Sequence, residues 1–412
     1  VLSSSALAPL RERSFRLLWT GQAVSAMGDA LSPVAFVFAA LQVTHTASGL
    51  GLVLAASTTA RVVFLPIGGV WADRLPRQLV MLSSDVIRAA AEVVLAAVLL
   101  SGHAQLWILI LLAIVDGAAG AFFVPATGAL VPQTVTAARL QQANALMGLS
   151  RSTTSVAGPA ISGLLVALIG PGWVFAIDAA TYVVSAISLA LLRVPRLEAR
   201  PPTSFVSELV AGWRAVTSRP WYLTNLSSHA LWNFAIAGFF VLGPVVAKQH
   251  LGGASAWGLI SAALGGGSVI GGLVALRVTP RRPLVAANLA LTLSALQILA
   301  LVPPLSTVAI MCACVVGFAG LAFLNEVWAA TVGQIIPADV LARANSFDWL
   351  LSLIAMPAGF AIWGPIADHV GLRPTLVAAA VILALPSFLI VLHPAVRSVR
   401  RTPEGLIVAG GA

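Results

Sequence analysis

Charge is what this chain has least of. Only 9% of its 412 residues are Asp, Glu, Lys or Arg, while 59% are hydrophobic and the mean hydropathy is +0.97. A soluble domain carries about a quarter charged residues, so the composition excludes one and points to a lipid bilayer. Cysteine is nearly missing. Cys312 and Cys314 are the only two, and both sit inside an apolar run, which excludes a disulfide framework and a cysteine zinc site. No H-x-x-x-H or C-x-x-C spacing occurs, so neither a metal nor a cofactor is expected. The chain also lacks a G-x-x-x-x-G-K-[ST] loop, which argues against self-contained ATP drive. It has no G-x-S-x-G, H-E-x-x-H or paired-Asp motif, so no enzyme is expected. Lysine is the last shortage: Lys248 stands alone among 23 basic residues. That arginine bias, with heavy use of alanine, fits a GC-rich bacterial genome.

What the chain has in abundance is long apolar runs. Twelve segments stand out: 16–41, 49–70, 79–101, 106–129, 145–169, 173–192, 221–247, 255–276, 284–302, 306–330, 345–369 and 374–393. A span needs about 20 apolar residues. The first run is too long for a signal-peptide core and no small-residue cleavage site follows it, so it reads as a retained first helix. Internal Pro and Gly are tolerable in a bilayer because neighbouring helices re-satisfy the backbone. The small-residue run Gly265 to Gly272 suits close helix packing.

The net charge of +9 is spread over the ends of the apolar runs, which suits a membrane surface and not nucleic acid. One set of ends carries eighteen arginines, from Arg11 to Arg401, and the other only Lys248 and Arg373. Basic loops stay in the cytoplasm, so both termini are expected there, in a bacterial inner membrane. The longest break runs from Arg193 to Pro220, where "RPP" ends any helix. Beyond it Phe205, Leu209, Trp213 and Val216 recur at helical spacing, as in an amphipathic helix lying on the cytoplasmic face. The expected organisation is a six-helix bundle over 1–192, a linker over 193–220, and a second bundle with a cytoplasmic tail over 221–412.

The two halves are related. At a shift of 201 residues, "AFFVPATGALVPQ" (121–133) lies on "AFLNEVWAATVGQ" (322–334), "LQQANAL" on "LARANSF" and "AGPAISG" on "AGFAIWG". Asn144 meets Asn345, and Gly170 meets Gly371. Two like-oriented six-helix repeats are an internal duplication of the kind transporters use. The fold class is therefore all-α, with twelve transmembrane helices in two repeats.

One charged phrase interrupts this pattern: "GGVWADRLPRQ", Gly68 to Gln78, echoed at "IGGLVALRVTPRRP" with Leu276 in place of Asp73. It resembles the G-x-x-x-D-R-x-G-R-[RK] motif between the second and third helices of the major facilitator superfamily. Gly69, Asp73, Arg74 and Arg77 match, while Pro76 and Gln78 depart from it. "AGPAISG" resembles the Gly-Pro motif of the superfamily's antiporters through Gly158, Pro159 and Gly163, with Ser162 replacing one glycine. The stretch "VPQTVTAARLQQANALMGLSRS" is similar to macrolide-efflux proteins and enterobactin exporters. The resemblance covers the whole chain. It implies the major facilitator fold, alternating access, and a latch in which Asp73 faces the positive end of a helix starting near Asn345.

Ionisable groups at bilayer depth are costly and mark function by default. Nine are counted: Asp29, Arg61, Asp85, Arg88, Glu92, Asp116, Arg151, Asp178 and Glu326. Asp85, Arg88 and Glu92 share one helix face at spacings of three and four, and are expected to neutralise one another as a structural network. Asp29, Asp116 and Asp178 have no opposite charge at such spacing. Asp29 and Asp116 are the candidates for carrying the proton or touching substrate, with Arg61 or Arg151 as their cation. "DGAAG" puts Asp116 where efflux relatives often have Arg. Asp178 reads as hydrated near an outer helix end, and Glu326 as reaching the cytoplasmic water. Asn225, His229 and Asn233 form a stripe that either lines the pathway or bridges helices.

The reading that joins these features is a monomeric secondary transporter exporting a small apolar or amphipathic molecule, such as a drug, an antibiotic or a siderophore-like metabolite, against entering protons. An importer or symporter on the same fold, and a membrane sensor that moves nothing, are the alternatives.

Overall fold

The computed structural model describes residues 7–194, 213–214 and 216–410; side chains at 69, 70, 72–74, 129, 338, 339 and 342 fall outside that description. The expected helix at 205–216 therefore lies almost entirely outside the described residues. Of its apolar stripe only Trp213 and Val216 are seen, both helical, with Val216 buried.

Six long helices build the first half: α1 (Arg13–Thr44), α2 (Ala47–Arg74), α3 (Arg77–Leu100), α4 (Leu106–Leu130), α5 (Leu140–Ile169) and α6 (Pro171–Ala190). The second half holds α7 (Pro220–Val246), α8 (Ala254–Ala275), α9 (Pro283–Thr292), α10 (Ala295–Leu299), α11 (Thr307–Ile335), α12 (Ala338–Leu353), α13 (Met356–Val370) and α14 (Leu372–Leu389). Ten of the described helical stretches are long and apolar enough to cross a bilayer. The other two of the twelve expected segments differ from these. The 24-residue α3 has the length but carries four charged residues, Arg77, Asp85, Arg88 and Glu92, and Pro283–Leu299 is broken into α9 and α10.

The chain divides into two compact units, residues 1–201 and 202–412, with Gly253–Gly258 grouping with the first. In the first unit α2 packs on α4, α1 on α5 and α6, and α3 on α4 and α6. Missing side chains permit these contacts. A Cβ on Gly68 would stand 2.6 Å from the Ala121 carbonyl, and one on Gly117 would collide with that of Ser57. In the second unit α7 packs on α13 and α14, and α9 on α11 and α14. Gly267 plays the same part there, with the Val315 carbonyl 2.5 Å from where its Cβ would be. The duplication is visible in one backbone detail. Gly170 and Gly371 both turn the chain at positive φ, +82° and +100°, just before α6 and α14. Any residue with a Cβ is strained there.

Two segments expected to be continuous are interrupted. Residues 284–302 break at Ser294, whose hydroxyl donates to the Leu291 carbonyl at 2.6 Å and accepts from Trp232 Nε1 at 2.8 Å. Residues 345–369 break at Ile354–Ala355, just before Pro357 in the first turn of α13. The C-terminal stretch also exceeds a plain tail. A short helix, α15 (Pro394–Ser398), leads into an antiparallel hairpin of β1 (Val399–Arg401) and β2 (Ile407–Ala409). Val396, Val399 and Ile407 are buried in one apolar cluster with Trp221, Tyr222 and Trp328. Ile407 N–H donates to Gln334 Oε1 at 2.8 Å, and Arg401 N–H to the Arg281 carbonyl at 2.9 Å.

Candidate functional site

The site grows from the packing of α3. Its charged face turns inward, so Asp85, Arg88 and Glu92 are all buried. Arg88 does not pair with the acids of its own helix. Nη2 binds Asp29 Oδ1 on α1 at 2.6 Å, and Nε binds Asp116 Oδ1 on α4 at 2.8 Å. The expected self-neutralising trio on α3 is thus corrected. α3 packs directly on α4, which brings Asp116 within reach of a guanidinium offering five donors. Asp85 and Glu92 stay buried outside these two ion pairs, with Ser185 on α6 beside Asp85.

The expected cation is corrected for the same reason. Arg88 serves Asp29 and Asp116, whereas Arg61 and Arg151 are exposed and form no ion pair among the described residues. Arg61 keeps a place at the site. It lines a cavity of about 340 Å3 together with Asp29, Arg88, Asp116, Phe36 and Phe123. All of these residues belong to the first unit. Asp29 is at the middle of α1 and its side chain is 35% exposed, while that of Asp116 is 15% exposed.

α6 closes the back of the site. The Tyr182 hydroxyl donates to Asp29 Oδ1, and the Arg88 guanidinium carbon lies 4.4 Å from the centre of the Tyr182 ring, as a cation–π contact. Asp178, expected in water, is fully buried. Its Oδ2 accepts from the Ser32 hydroxyl and its Oδ1 from the Thr181 hydroxyl at 3.0 Å. Gly28 on α1 lets this happen, because a Cβ there would overlap both Asp178 and Thr181. Glu326 is exposed on α11 and takes no part.

Tyr182 is absent from the nine ionisable positions, although a phenol in an apolar helix of a chain with two tyrosines is a usable signal. Asp348 is the second omission. It accepts from Tyr222 OH at 3.0 Å, from Trp328 Nε1 and from the Ser352 hydroxyl at 3.3 Å, tying α12 to α7 and α11. It follows Asn345 so closely that it passes for a helix end. Both tyrosines of the chain therefore donate to an aspartate, one in each unit. The α7 stripe serves mainly as interhelical glue: Asn288 Nδ2 on α9 donates to Asn225 Oδ1 at 2.8 Å, and His229 packs edge-on against Trp328.

Residues 4–402 match the family described as "Transmembrane secretion effector", in the major facilitator class. The chain belongs to the major facilitator superfamily. Among characterised relatives it is 25% identical to macrolide efflux protein A of Streptococcus pyogenes, over 87% of this chain and 90% of that protein. It is 26% identical to the multidrug efflux pump Tap of Mycobacterium tuberculosis, over 92% and 93%. Its fold is that of a solved nucleoside transporter, NupG (TM-score 0.73, 14% identity, 91% of this chain and 99% of that one). It is also that of a bacterial homologue of the lysosomal transporter Spinster (TM-score 0.68, 16% identity, 95% and 98%). These relatives are transporters and not enzymes.

The superfamily's motifs can now be located. α2 ends at Arg74 and α3 begins at Arg77, so the charged phrase is the tight turn between them; the side chains of Gly69, Asp73 and Arg74 lie outside the described set. Gln78, where the motif has a basic residue, donates to the Leu189 and Leu192 carbonyls at 2.6 and 2.8 Å, capping the end of α6. On α5, Gly158 lets Ala30 of α1 approach, Ser162 donates to the Leu31 carbonyl at 2.6 Å, and Pro159 and Gly163 lie inside the helix. Gly158 and Ser162 thus form a close-packing seam between α1 and α5.

Proposed function

We propose that this protein is a secondary active exporter that moves a small apolar or amphipathic molecule outward in exchange for protons, by alternating access. The observation that carries the proposal is one arginine held between two acids on a cavity wall. Arg88 neutralises the charge of only one of Asp29 and Asp116. A proton arriving at either acid frees Arg88 to pair with the other, so proton binding and side-chain arrangement are linked. An organic cation entering the cavity competes for the same carboxylates, which is the mutual exclusion that antiport needs. The relatives named as macrolide and multidrug efflux proteins support the direction and the substrate class.

The proposal includes a bacterial inner-membrane location with both termini in the cytoplasm, supported by the arginine asymmetry of the loops. It also includes the latch reading of Asp73, Arg74 and Arg77, supported by the motif resemblance. The test uses proteoliposomes loaded with erythromycin or ethidium under an imposed pH gradient. Wild type should drive uphill movement. Asp29→Asn and Asp116→Asn should lose it while keeping downhill exchange. Full pH-driven transport in both variants would exclude the two acids as carriers, and accumulation in the opposite direction would establish import.

A further inference from the structure

We infer that Tyr182 is the positioning residue that keeps Arg88 between the two acids while Asp29 gains and loses its proton. The inference rests on the proton-coupled reading above. Three contacts meet at one point. Asp29 Oδ1 accepts from both Arg88 Nη2 and the Tyr182 hydroxyl. The ring of the same tyrosine lies under the guanidinium at 4.4 Å. Tyr182 is fully buried, whereas Asp29 is partly open to the cavity.

Asp29 thus has two unlike oxygens. Oδ1 faces inward with two donors; Oδ2 has no hydrogen bond among the described residues. A proton taken from cavity water adds to Oδ2, where a new O–H bond forms and no donor has to leave. The carboxylate charge disappears, and with it the ionic hold on Arg88. Oδ1 becomes a carbonyl oxygen that still accepts from Tyr182. The guanidinium, still on the phenol ring and still bonded to Asp116 through Nε, loses one tether of three. Without Tyr182 it would lose its lateral guide and be free to follow Asp116 alone.

The groups facing Asp29 are Arg88 and Asp85 on α3, Asp116 on α4, and Tyr182 and Asp178 on α6; Glu92 on α3 lies behind them, and Arg61 on α2 shares the cavity. α5 contributes the Ser162 hydroxyl one turn away, bonded to backbone. Among these, only Tyr182 touches both Asp29 and Arg88 without being charged itself.

The test separates hydroxyl from ring. Tyr182→Phe keeps the cation–π surface and removes one hydrogen bond to a charged group. The ratio of uphill pH-driven efflux to downhill exchange should fall about tenfold, the worth of such a bond. The pH profile of efflux should change, because Asp29 Oδ1 loses one of its two donors. Tyr182→Leu should lose the coupling more completely. A second readout needs no transport: pH-difference infrared spectra, with the Asp29 carboxyl band identified by its loss in Asp29→Asn. Tyr182→Phe should shift that band and its pH midpoint, and Tyr222→Phe should not. A band unmoved by Tyr182→Phe would overturn the inference whatever the liposomes show. A shifted band in a protein without pH-driven efflux would sustain the positioning role and refute the antiport reading instead.

Discussion

Removing Arg88 is the sharpest test of the buried cluster. Arg88→Leu leaves Asp29 and Asp116 without their shared cation, beside the buried acids Asp85 and Glu92. Breaking a buried ion pair by deleting one member costs about 3–5 kcal/mol, because the survivor stays charged or must neutralise. The Asp29 side chain is 35% exposed, so water screens it and its share is discounted. Asp116 at 15% carries most of the penalty, and we expect a loss of about 3 kcal/mol, the low end of that range. That is about a hundredfold in the folded-to-unfolded ratio. The assay is SDS-induced unfolding of the reconstituted protein, followed by tryptophan fluorescence. The double variant Arg88→Leu/Asp116→Leu replaces the pair with apolar side chains and should recover most of the stability. Proton-driven efflux should stay lost in both. An Arg88→Leu protein as stable as wild type would refute the shared-clamp geometry, and restored coupling in the double variant would refute its role in transport.

Three further outcomes follow from particular contacts. Asp85→Asn should leave SDS stability unchanged or raise it, since the Asp85 carboxyl is fully buried without an ion pair, Arg88 is engaged elsewhere, and an amide can still bond to Ser185. Asp348→Ala strands the Tyr222 hydroxyl and Trp328 Nε1, and should cost about 2–3 kcal/mol in the same assay, whereas Asp348→Asn should cost less. Asp73→Asn should strongly reduce transport without loss of membrane insertion, measured by uptake assay and membrane yield, and Leu276→Asp should not rescue it.

The fold was largely legible in the sequence because bilayer spans announce themselves by length and apolarity, and the duplication by its constant shift. Gly170 and Gly371 show how far that goes: matched as letters, they prove to be matched as backbone angles. The site was half legible. That Asp29, Arg88 and Asp116 stand out as candidates follows from the cost of charge in lipid. Their pairing does not, because spacing along α3 relates Arg88 only to Asp85 and Glu92. Which acid it chooses depends on how α3 is rotated against α1 and α4, and one sequence does not fix that rotation. Asp178 was misplaced for a like reason, since the Ser32 and Thr181 hydroxyls that satisfy it are unremarkable letters until Gly28 brings α1 and α6 together. The break at Ser294 is also tertiary in origin, set by a tryptophan on another helix.

The C-terminal hairpin has a consequence for biosynthesis. Trp221 and Tyr222 come early in the second unit, yet part of their cover, Val396, Val399 and Ile407, is translated far later. Until the ribosome has passed that point, the inner face of α7 and the Trp328 end of α11 are incompletely packed. The second unit therefore closes only after Ile407 has been made. A nascent protein stalled before Ile407 presents uncovered aromatic surface to quality-control proteases, although every span is already inserted.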